Sequence, residues 1–351
     1  MQKSTRNKLV AGIFTGLGIA IIATVAMTFL YTPGFIRNLF LSDSKELTVV
    51  THDSAVFPEE LLAAFKAETG ITVKQVKAGD TGSMVNKLIL TKDAPIGDMF
   101  YGIDSTFLQL AIDNGVYDPA GNYTDENGPE AIDYADVCIN YDKTWFSSNE
   151  TAPPTNIGDL TKPAYKGLTV LTNPRTSSPG LSFLAATVAV FGESGWKQYW
   201  TALKANDVKI AAGWEDAYFT EFSGSSGKGQ YPIVLSYSSS PAFEIRDNGE
   251  SQTVSLLDAC YRQWEYAGAL ANGKNAEGAT KFIQFMLSAE FQNALPESNY
   301  VYPVREGEGI ELPATWAEFA PTAGKTVGTT LDVASNRELW FAKWSEIFDV
   351  N

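Results

Sequence analysis

Two aromatic side chains and two carboxylates lie close together at residues 211–218, which read AAGWEDAY. If a strand ends at Gly213 and a helix begins at Trp214, then Trp214 and Tyr218 share one helical face, with Glu215 in the first turn. The faces of such rings attract cations, and adjacent carboxylates strengthen that preference. The stretch therefore predicts one wall of a site for a cationic ligand, although the same spacing is also typical of rings that pack in a core.

A second candidate site is the turn NPRTSSPG at residues 173–180. Here Ser177, Ser178 and Gly180 follow a strand and precede an apolar helix, so free backbone N–H groups would lie beside hydroxyls at a helix N-terminus. This arrangement suits a phosphate or another electron-rich group, and Arg175 could pair with an anion or fix the loop. A strand–turn–helix junction without any ligand fits the same pattern.

Two loops that end in proline present hydroxyl and aromatic side chains: SYSSSPA at residues 236–242 and ESNYVYPV at residues 297–304. A tyrosine can stack on a flat ring and also form a hydrogen bond at its rim. These loops therefore present Tyr237, Ser239, Tyr300 and Tyr302 as candidate ligand contacts. Neither loop carries a pair of adjacent tyrosines, which disfavours the capture of ferric ion by converging phenolates.

The chain holds one histidine and two cysteines, too few for most metal or hydrolase sites. His52 is interpreted as a loop or pocket residue, and neither a catalytic residue nor a metal site is predicted. Cys138 and Cys260 lie in strand-like runs without C-x-x-C spacing. They are therefore either two buried thiols or, in an oxidising compartment, a disulfide.

The charge of the chain excludes one class of partner. Among 351 residues, Asp and Glu number 41 against 26 Lys and Arg, which gives a formal net charge of −15. Such a chain lacks the basic surface that a nucleic-acid partner requires. The excess of carboxylates suits a cationic ligand, but ordinary solvation of an acidic surface also explains it.

Positively charged residues precede a long uncharged run at the N-terminus. Lys3, Arg6 and Lys8 are followed by residues 9–31, which at about 1.5 Å per residue are long enough to span a bilayer as a helix. The run is longer than the typical apolar core of a secretory signal and has no clear cleavage site, so an uncleaved anchor is preferred to a cleaved signal peptide. The positive flank predicts that the rest of the chain lies outside the cytoplasm, tethered to the membrane, and residues 1–45 are excluded from the fold interpretation.

Hydrophobic periodicity after this segment alternates between strands and helices. ELTVVTHDS, ITVKQVKA and GDMFYGID are typical of strands, and a helical segment follows each of them. This β-α-β-α-β-α series predicts an α/β fold with a mainly parallel sheet covered by helices. The strand ends at residues 52–54 and 102–104 would project polar groups from one edge of the sheet. A second α/β series begins at GLTVLT.

The two series predict two lobes, joined by two crossing strands near residues 136–143 and 257–266. Lobe 1 would comprise residues 46–138 plus 262–351, and lobe 2 would comprise residues 139–261. A ligand is expected in the cleft between the lobes.

Several short motifs together resemble the thiamine-binding substrate-binding proteins of ABC importers. The motifs LTVVTHDS, NPRTSSPG, GWEDAY, LSYSSSPA and FIQFMLSAEFQNALPESNYVYPV occur in that order and at similar separations. Several motifs in register are far more specific than any one of them. The resemblance implies a two-lobed periplasmic-binding-protein-like fold of type II with two hinge strands. It also implies a protein that binds thiamine or its phosphates and delivers the ligand to a membrane permease driven by a cytoplasmic ATPase.

The resemblance further implies a set of ligand-binding residues. Trp214, Tyr218 or Tyr300 would stack on the aminopyrimidine ring of thiamine, and Asp104 or Glu215 would balance its thiazolium charge. The turn before the apolar helix would receive the hydroxyethyl or phosphate tail. The full set is Asp53, Ser54, Gly102, Asp104, Ser177, Ser178, Gly180, Trp214, Glu215, Tyr218, Tyr237, Ser239 and Tyr300.

Other functions remain open on the sequence. The same fold could bind another cation, such as a polyamine or ferric iron, and the chain has His52 and Tyr300 where the thiamine-binding family often has tyrosine and tryptophan. Thiamine-degrading transferases share the architecture, but they need a nucleophilic cysteine, and neither Cys138 nor Cys260 lies in a helix-opening motif. The prediction is therefore a monomeric, non-enzymatic binding protein that needs no cofactor.

Overall fold

The computed structural model describes residues 45–119, 128–225, 229–305, 307 and 309–348. Residues 45–351 form one compact unit, and the predicted anchor at residues 9–31 lies outside the described residues. No helix in the described part of the chain combines the length and the apolar character needed to cross a membrane.

The first part of the chain folds into the predicted alternation of strands and helices. Strand β1 (Glu46–Thr51) pairs in parallel with β2 (Thr72–Lys77) on one side and with β3 (Met99–Asp104) on the other. The helices are α1 (Glu59–Thr69), α2 (Thr81–Leu90) and α3 (Leu108–Asp113). Gly70 ends α1 in a left-handed conformation, and Asp80 caps α2 by accepting a hydrogen bond from the N–H of Thr81.

A second group of parallel strands follows the long strand β4 (Glu130–Asp142) and the short helix α4 (Lys143–Ser147). This group comprises β5 (Thr169–Thr172), helix α5 (Ser178–Ala205), β6 (Lys209–Ala211) and β7 (Ile233–Tyr237). Strand β5 pairs in parallel with both β6 and β7. Gly192 interrupts α5 with a non-helical backbone. The shorter elements are 3₁₀ turns at Ile157–Thr161 and Pro163–Tyr165, a π-helical turn at Asp216–Glu221 and helix α6 (Ser240–Phe243).

Two long antiparallel strands, β4 and β8 (Thr253–Ala269), join the two groups. Because β8 also pairs with β3, and β4 also pairs with β7, one continuous sheet runs in the order β2-β1-β3-β8-β4-β7-β5-β6. Lobe 1 carries β1 to β3, lobe 2 carries β5 to β7, and β4 and β8 are the hinge strands. This arrangement confirms the predicted two-lobed α/β fold, with hinge strands longer than the sequence indicated.

The remaining elements are α7 (Ala276–Met286), α8 (Ala289–Ser298), β9 (Tyr302–Pro303), α9 (Trp316–Phe319) and α10 (Val333–Phe348). Helix α7 packs on lobe 1, where the ring of Phe282 lies 4.9 Å from that of Phe65 in α1. Helix α10 packs instead on α5, where the ring centroids of the buried Trp344 and Trp200 lie 6.0 Å apart. The sequence predicted that residues 262–351 belong to lobe 1. Helix α10 lies within that range but packs beside α5 of lobe 2. The lobe boundaries therefore stay a prediction.

The two cysteines form a disulfide between the hinge strands, which decides between the alternatives that the sequence left open. Cys138 lies in β4 and Cys260 in β8, and both are buried. The pairing of β4 with β8 shifts its register between Val137 and Ile139, on either side of Cys138. The bridge therefore ties the hinge strands together where their hydrogen-bond ladder is interrupted.

Removal of this disulfide is expected to destabilise the folded chain. A cross-link between residues 122 positions apart restricts the unfolded state, and a loop of this size corresponds to about 3–5 kcal/mol. We expect the Cys138→Ala/Cys260→Ala variant to lose about that much unfolding free energy in urea denaturation. Dithiothreitol should destabilise the wild-type chain and leave the double variant unchanged. Equal urea midpoints for the oxidised wild type and the variant would contradict this expectation.

Candidate functional site

A cavity lies between the lobes, above the two hinge strands. Its empty space is about 980 Å³, part of which is open to solvent. Ala135 of β4 and Gln263 and Glu265 of β8 form the floor. Polar side chains of lobe 1 line one side, and a row of aromatic rings, mostly from lobe 2, lines the other.

The floor follows from the alternation of side chains along β4 and β8. Asp133 is the direct cross-strand partner of Glu265, and the small Ala135 is the partner of Gln263. Directly opposed like charges are unfavourable. Burial, together with the adjacent Glu265 carboxylate, raises the pKa of Asp133 well above its ordinary value, and the hydroxyl of Tyr101 donates a 2.6 Å hydrogen bond to it. The protonated form of Asp133 is therefore favoured, and Glu265 is the carboxylate of this pair that lines the cavity.

His52 directly follows β1 and faces this carboxylate. Its Nε2 lies 3.5 Å from Oε2 of Glu265, and its Nδ1 lies 3.0 Å from Oγ of Ser54. Burial by itself lowers the pKa of His52, but the Glu265 carboxylate and two nearby aspartates outweigh this effect and raise the pKa above its usual value. Gly102 makes room for the ring, because a Cβ at that position would lie 2.1 Å from Cδ2 of His52.

Trp214 and Tyr218 stack on each other, with ring centroids 4.9 Å apart and ring planes inclined by 17°. They share one face of the turn that contains the π-helical segment, as the spacing in AAGWEDAY predicts. The indole N–H of Trp214 donates a 2.9 Å hydrogen bond to Ser236, which fixes the ring. Tyr218 is almost fully buried and Trp214 only partly, so the indole is the ring of this pair that a ligand would meet.

Further rings extend the wall toward the loop that precedes β9. The ring centroids of Tyr237 and Trp214 lie 5.9 Å apart, and those of Phe243 and Tyr300 lie 4.9 Å apart. Tyr300 has a left-handed φ of 56°, a conformation that a bulky side chain rarely adopts. Ser239 stabilises this backbone by donating a 2.5 Å hydrogen bond to the carbonyl of Tyr300. The contact holds the phenol of Tyr300 at the cavity.

A carboxylate of lobe 1 occupies the N-terminus of α5. Asp80 accepts hydrogen bonds from the backbone N–H groups of Ser178 (3.3 Å) and Trp214 (2.8 Å), both of which belong to lobe 2. Burial raises the pKa of Asp80, and the hydrogen bond from Trp214 partly offsets that effect. Asp80 therefore bridges the lobes and satisfies the positive end of the helix from within the protein.

Seven of the thirteen residues predicted to bind the ligand line the cavity: Ser54, Trp214, Glu215, Tyr218, Tyr237, Ser239 and Tyr300. The other six do not line it: Asp53, Gly102, Asp104, Ser177, Ser178 and Gly180. A direct role in binding stays a prediction for all thirteen.

The residues outside the cavity have structural partners of their own. Asp53 accepts a 2.8 Å hydrogen bond from the N–H of Gly79. Asp104 is fully buried, where Thr106 and Gln263 donate hydrogen bonds to its Oδ2. Ser177 and Ser178 are buried, and a Cβ on Gly180 would lie 2.6 Å from the carbonyl oxygen of Thr172.

Two residues of the floor, Gln263 and Glu265, were missing from the predicted set. Their only signal in the sequence was the alternation Q-W-E, which places both side chains on one face of a strand. The pattern does not tell which face points into the cleft. Glu265 is thus a further carboxylate of the cavity, in addition to the predicted Glu215.

Comparison with known proteins agrees with this architecture. Residues 96–322 match the family model of bacterial extracellular solute-binding proteins. The chain belongs to this family. It is 31% identical over 313 residues to the thiamine-binding periplasmic protein of Escherichia coli (strain K12), an alignment that covers 85% of this chain and 92% of the relative.

Two further relatives bear on the fold and the ligand of this solute-binding protein. A solved structure described as a periplasmic thiamin binding protein superimposes with a TM-score of 0.73 at 28% identity, covering 87% of this chain and 96% of that one. Iron uptake protein A1 of Synechocystis sp. (strain ATCC 27184 / PCC 6803 / Kazusa) is 24% identical over 352 residues, covering 93% of this chain and 94% of the relative.

The contact of Gly102 with His52 predicts a substitution effect that a matched glycine controls. Gly102 and Gly115 both have left-handed φ values, of 92° and 66°, but a Cβ on Gly115 would meet nothing within 4 Å. We expect Gly115→Ala to lose about 1 kcal/mol of unfolding free energy. Gly102→Ala should lose about 1–3 kcal/mol more, because it also displaces the imidazole. Equal losses in urea denaturation would show that His52 does not depend on this glycine.

The buried carboxyl of Asp104 predicts a pH effect on stability. Burial raises its pKa from 3.8 to about 6, so between these values the folded state holds a proton that the unfolded chain has lost. This group therefore contributes less stability as the pH rises. Asp104→Asn retains an acceptor for Thr106 and Gln263 and removes the titration, so we expect it to be more stable than the wild type by about 2–3 kcal/mol near pH 8 and nearly equal near pH 4. Urea denaturation at both pH values checks this, and a constant difference between the two proteins would contradict it.

Proposed function

We propose that this protein binds thiamine in the cavity between its lobes, outside the cytoplasm, and delivers it to an ABC importer. The observation that carries the proposal is a carboxylate floor beside an aromatic wall: Glu265 faces the cavity, which Trp214, Tyr237 and Tyr300 also line. Thiamine combines a positive thiazolium ring with a flat aminopyrimidine ring, and so matches both features. The name of the Escherichia coli relative supports the same ligand.

The thiazolium ring would lie beside Glu265. That side chain is only 12% exposed, and the pKa of its neighbour Asp133 is raised, which favours the protonated form of Asp133. The carboxylates that line the cavity are therefore Glu265 in the floor and Glu215 on the aromatic side. In a partly buried site, two opposite charges about 4 Å apart attract each other by about 4 kcal/mol. The faces of Trp214 and Tyr237 would add about 0.5–2 kcal/mol for each ring that meets the cation.

The aminopyrimidine ring would lie against the aromatic wall and meet polar groups at its rim. Burial raises the pKa of Tyr237 well above its ordinary value, so its phenol stays protonated and can donate to a ring nitrogen. Gln263 donates its Nε2 to Asp104, which leaves its Oε1 as an acceptor for the exocyclic amino group. Tyr300 is placed to stack on the ring because Ser239 holds its backbone.

The proposal concerns thiamine itself rather than its phosphates. The N–H of Ser178 at the start of α5, a position that the sequence suggested for a phosphate, already donates to the carboxylate of Asp80, as does the N–H of Trp214. A phosphate ester would have to displace this carboxylate from Ser178 and Trp214.

Iron and polyamines are the alternative ligands on the same fold. Of these two, iron is favoured by the similarity to iron uptake protein A1. Within the described ranges, however, no group of three or more His, Cys, Asp or Glu side chains is arranged to hold a metal ion. A polyamine has no flat ring that would use the aromatic wall. Thiamine is the ligand of the three that uses both the floor and the wall.

The proposed role is binding without catalysis. A thiamine-degrading transferase needs a thiolate nucleophile, whereas Cys138 and Cys260 are joined in a disulfide and do not line the cavity. Incubation of the protein with thiamine and a thiol should return intact thiamine on chromatography. Release of the pyrimidine would overturn the non-enzymatic role.

Delivery to a permease and tethering to the membrane by residues 9–31 complete the proposal. Membership in an extracellular solute-binding family supports a location outside the cytoplasm. The hinge strands would let the lobes close on the ligand and open at the permease. Membrane fractionation of cells and uptake of labelled thiamine, with and without this protein, test these parts.

Calorimetric titration of the complete chain with thiamine tests the ligand. We expect saturable binding of one thiamine per chain, with a dissociation constant well below the millimolar range. Parallel titrations with thiamine monophosphate, thiamine diphosphate, spermidine and ferric citrate rank the alternatives. Absence of heat with thiamine at millimolar concentration, or tighter binding of spermidine or ferric citrate, would refute the proposal.

The carboxylate of Glu265 predicts a charge-dependent loss of affinity. We expect Glu265→Gln to weaken thiamine binding at least about tenfold, which corresponds to about 1.4 kcal/mol. An uncharged analogue, in which a thiophene replaces the thiazolium ring, should bind both proteins alike. The Asp133→Asn/Glu265→Gln variant prevents Asp133 from ionising in place of Glu265, and Glu311→Gln, an exposed carboxylate outside the cavity lining, is the control. Equal losses for the charged and the uncharged ligand would contradict the assigned role.

A further inference from the structure

His52 is the only histidine among the 351 residues, and it lines the cavity. Its side chain is 14% exposed and is held on three sides, by Oγ of Ser54 at 3.0 Å, by Oε2 of Glu265 at 3.5 Å and by the close approach of Gly102. The carboxylate that would balance a cationic ligand is therefore already the partner of this imidazole.

The imidazole lies in a predominantly acidic environment. The titratable groups that face it or the adjoining cavity are Glu265 on β8, Asp133 on β4, Asp80 at the start of α2, Asp53 beside His52, Lys77 on β2, Tyr101 on β3, Tyr237 on β7, Tyr300 before β9, and Glu215 and Tyr218 in the turn after β6. The ammonium of Lys77 donates a hydrogen bond to the carbonyl of Asp53, and the raised pKa of Asp133 favours its protonated form. Burial disfavours the imidazolium, but Glu265 together with Asp80 and Asp53 outweighs it, so the pKa of His52 is raised toward the charged form.

Resting on the proposed function, we propose that thiamine displaces a proton from His52. The thiazolium ring takes over the charge interaction with Glu265, and the imidazolium releases one of its two N–H protons to the solvent. The neutral ring that remains keeps one N–H and its contact with Ser54. Glu265 thus has one cationic partner before and after binding, which avoids the repulsion between two cations beside the same carboxylate in a partly buried space.

Proton release has a defined pH window. It occurs between the pKa of His52 in the complex and the higher pKa of His52 in the free protein, and it vanishes above and below this interval. Within the interval, thiamine affinity falls by up to about tenfold for each unit of acidification. Above the interval, affinity does not depend on the protonation of His52.

A chain with one histidine allows this proton to be observed directly by NMR. The Cε1–H signal of histidine-labelled full-length protein is followed against pH, with and without saturating thiamine. We expect a single imidazole signal whose titration midpoint moves to lower pH by at least one unit when thiamine is bound. An unchanged or raised midpoint would overturn the inference.

Calorimetry in phosphate and Tris buffers near neutral pH counts the protons, because the two buffers differ in their enthalpy of protonation. We expect release of up to one proton per thiamine from the wild-type chain and none from His52→Gln, which keeps a neutral polar side chain. The affinity of the variant should not vary with pH across the window of the wild type. The titration of the ligand itself is common to both proteins and cancels in the comparison, so equal proton release from both would refute the role of His52.

The experiments separate the two proposals. If the wild-type chain gives no binding heat with thiamine, the proposed function fails, and the proton exchange fails with it. If thiamine binds but the NMR midpoint does not move and no proton is released, only the proton exchange fails. The NMR titration uses the wild-type protein, so it decides the question even if His52→Gln does not fold.

Discussion

The antiparallel pairing of β4 with β8 is the constraint on which the rest of the structure depends. It joins the two lobes, and it also places Asp133 directly opposite Glu265 in the floor of the cavity. Two opposed carboxyl groups in a buried ladder cannot both carry a charge without a large cost, and this raises the pKa of Asp133. The hinge and the charged floor are therefore the same pair of strands. A motion of the lobes about this hinge would change the walls above Glu265 and leave the pairing below it intact.

The cavity has a consistent polarity. The helix N-terminus that would attract an anion is satisfied by Asp80, whose hydrogen bonds to Ser178 and Trp214 cross from one lobe to the other. The carboxylate of Glu265, in contrast, has His52 as its partner at the cavity surface. This distribution favours a positive ligand and couples the fixation of Trp214 to the contact between the lobes. An ordinary solvated surface also explains the acidic composition of the chain. Glu265 is the carboxylate that this distribution assigns to a positive ligand.

Local patterns predicted the aromatic side of the candidate site but not its floor. Trp214 and Tyr218 are four residues apart, and Tyr237 and Tyr300 lie in loops that end in proline, so short-range geometry was enough to select them. Asp104 was selected because it ends a strand, yet the crossing strand β8 covers it, and Gln263 binds its carboxylate. Glu265 was overlooked because the orientation of a strand face depends on pairing with β4, a partner more than a hundred residues away. The sequence left open whether the start of α5 binds an anion, since nothing nearby in the sequence shows that Asp80 reaches it.

The sequence by itself determined the alternation of strands and helices, the presence of two lobes with crossing strands and the family to which the chain belongs. These properties follow from periodicity and from motifs of a few residues, which are local. Only the tertiary structure decided that Cys138 and Cys260 are bonded, that α10 packs beside α5 and that His52 shares the carboxylate of Glu265. Each of these depends on the register and packing of segments far apart in the chain, and side-chain chemistry alone does not encode which distant groups come within a few ångströms of each other.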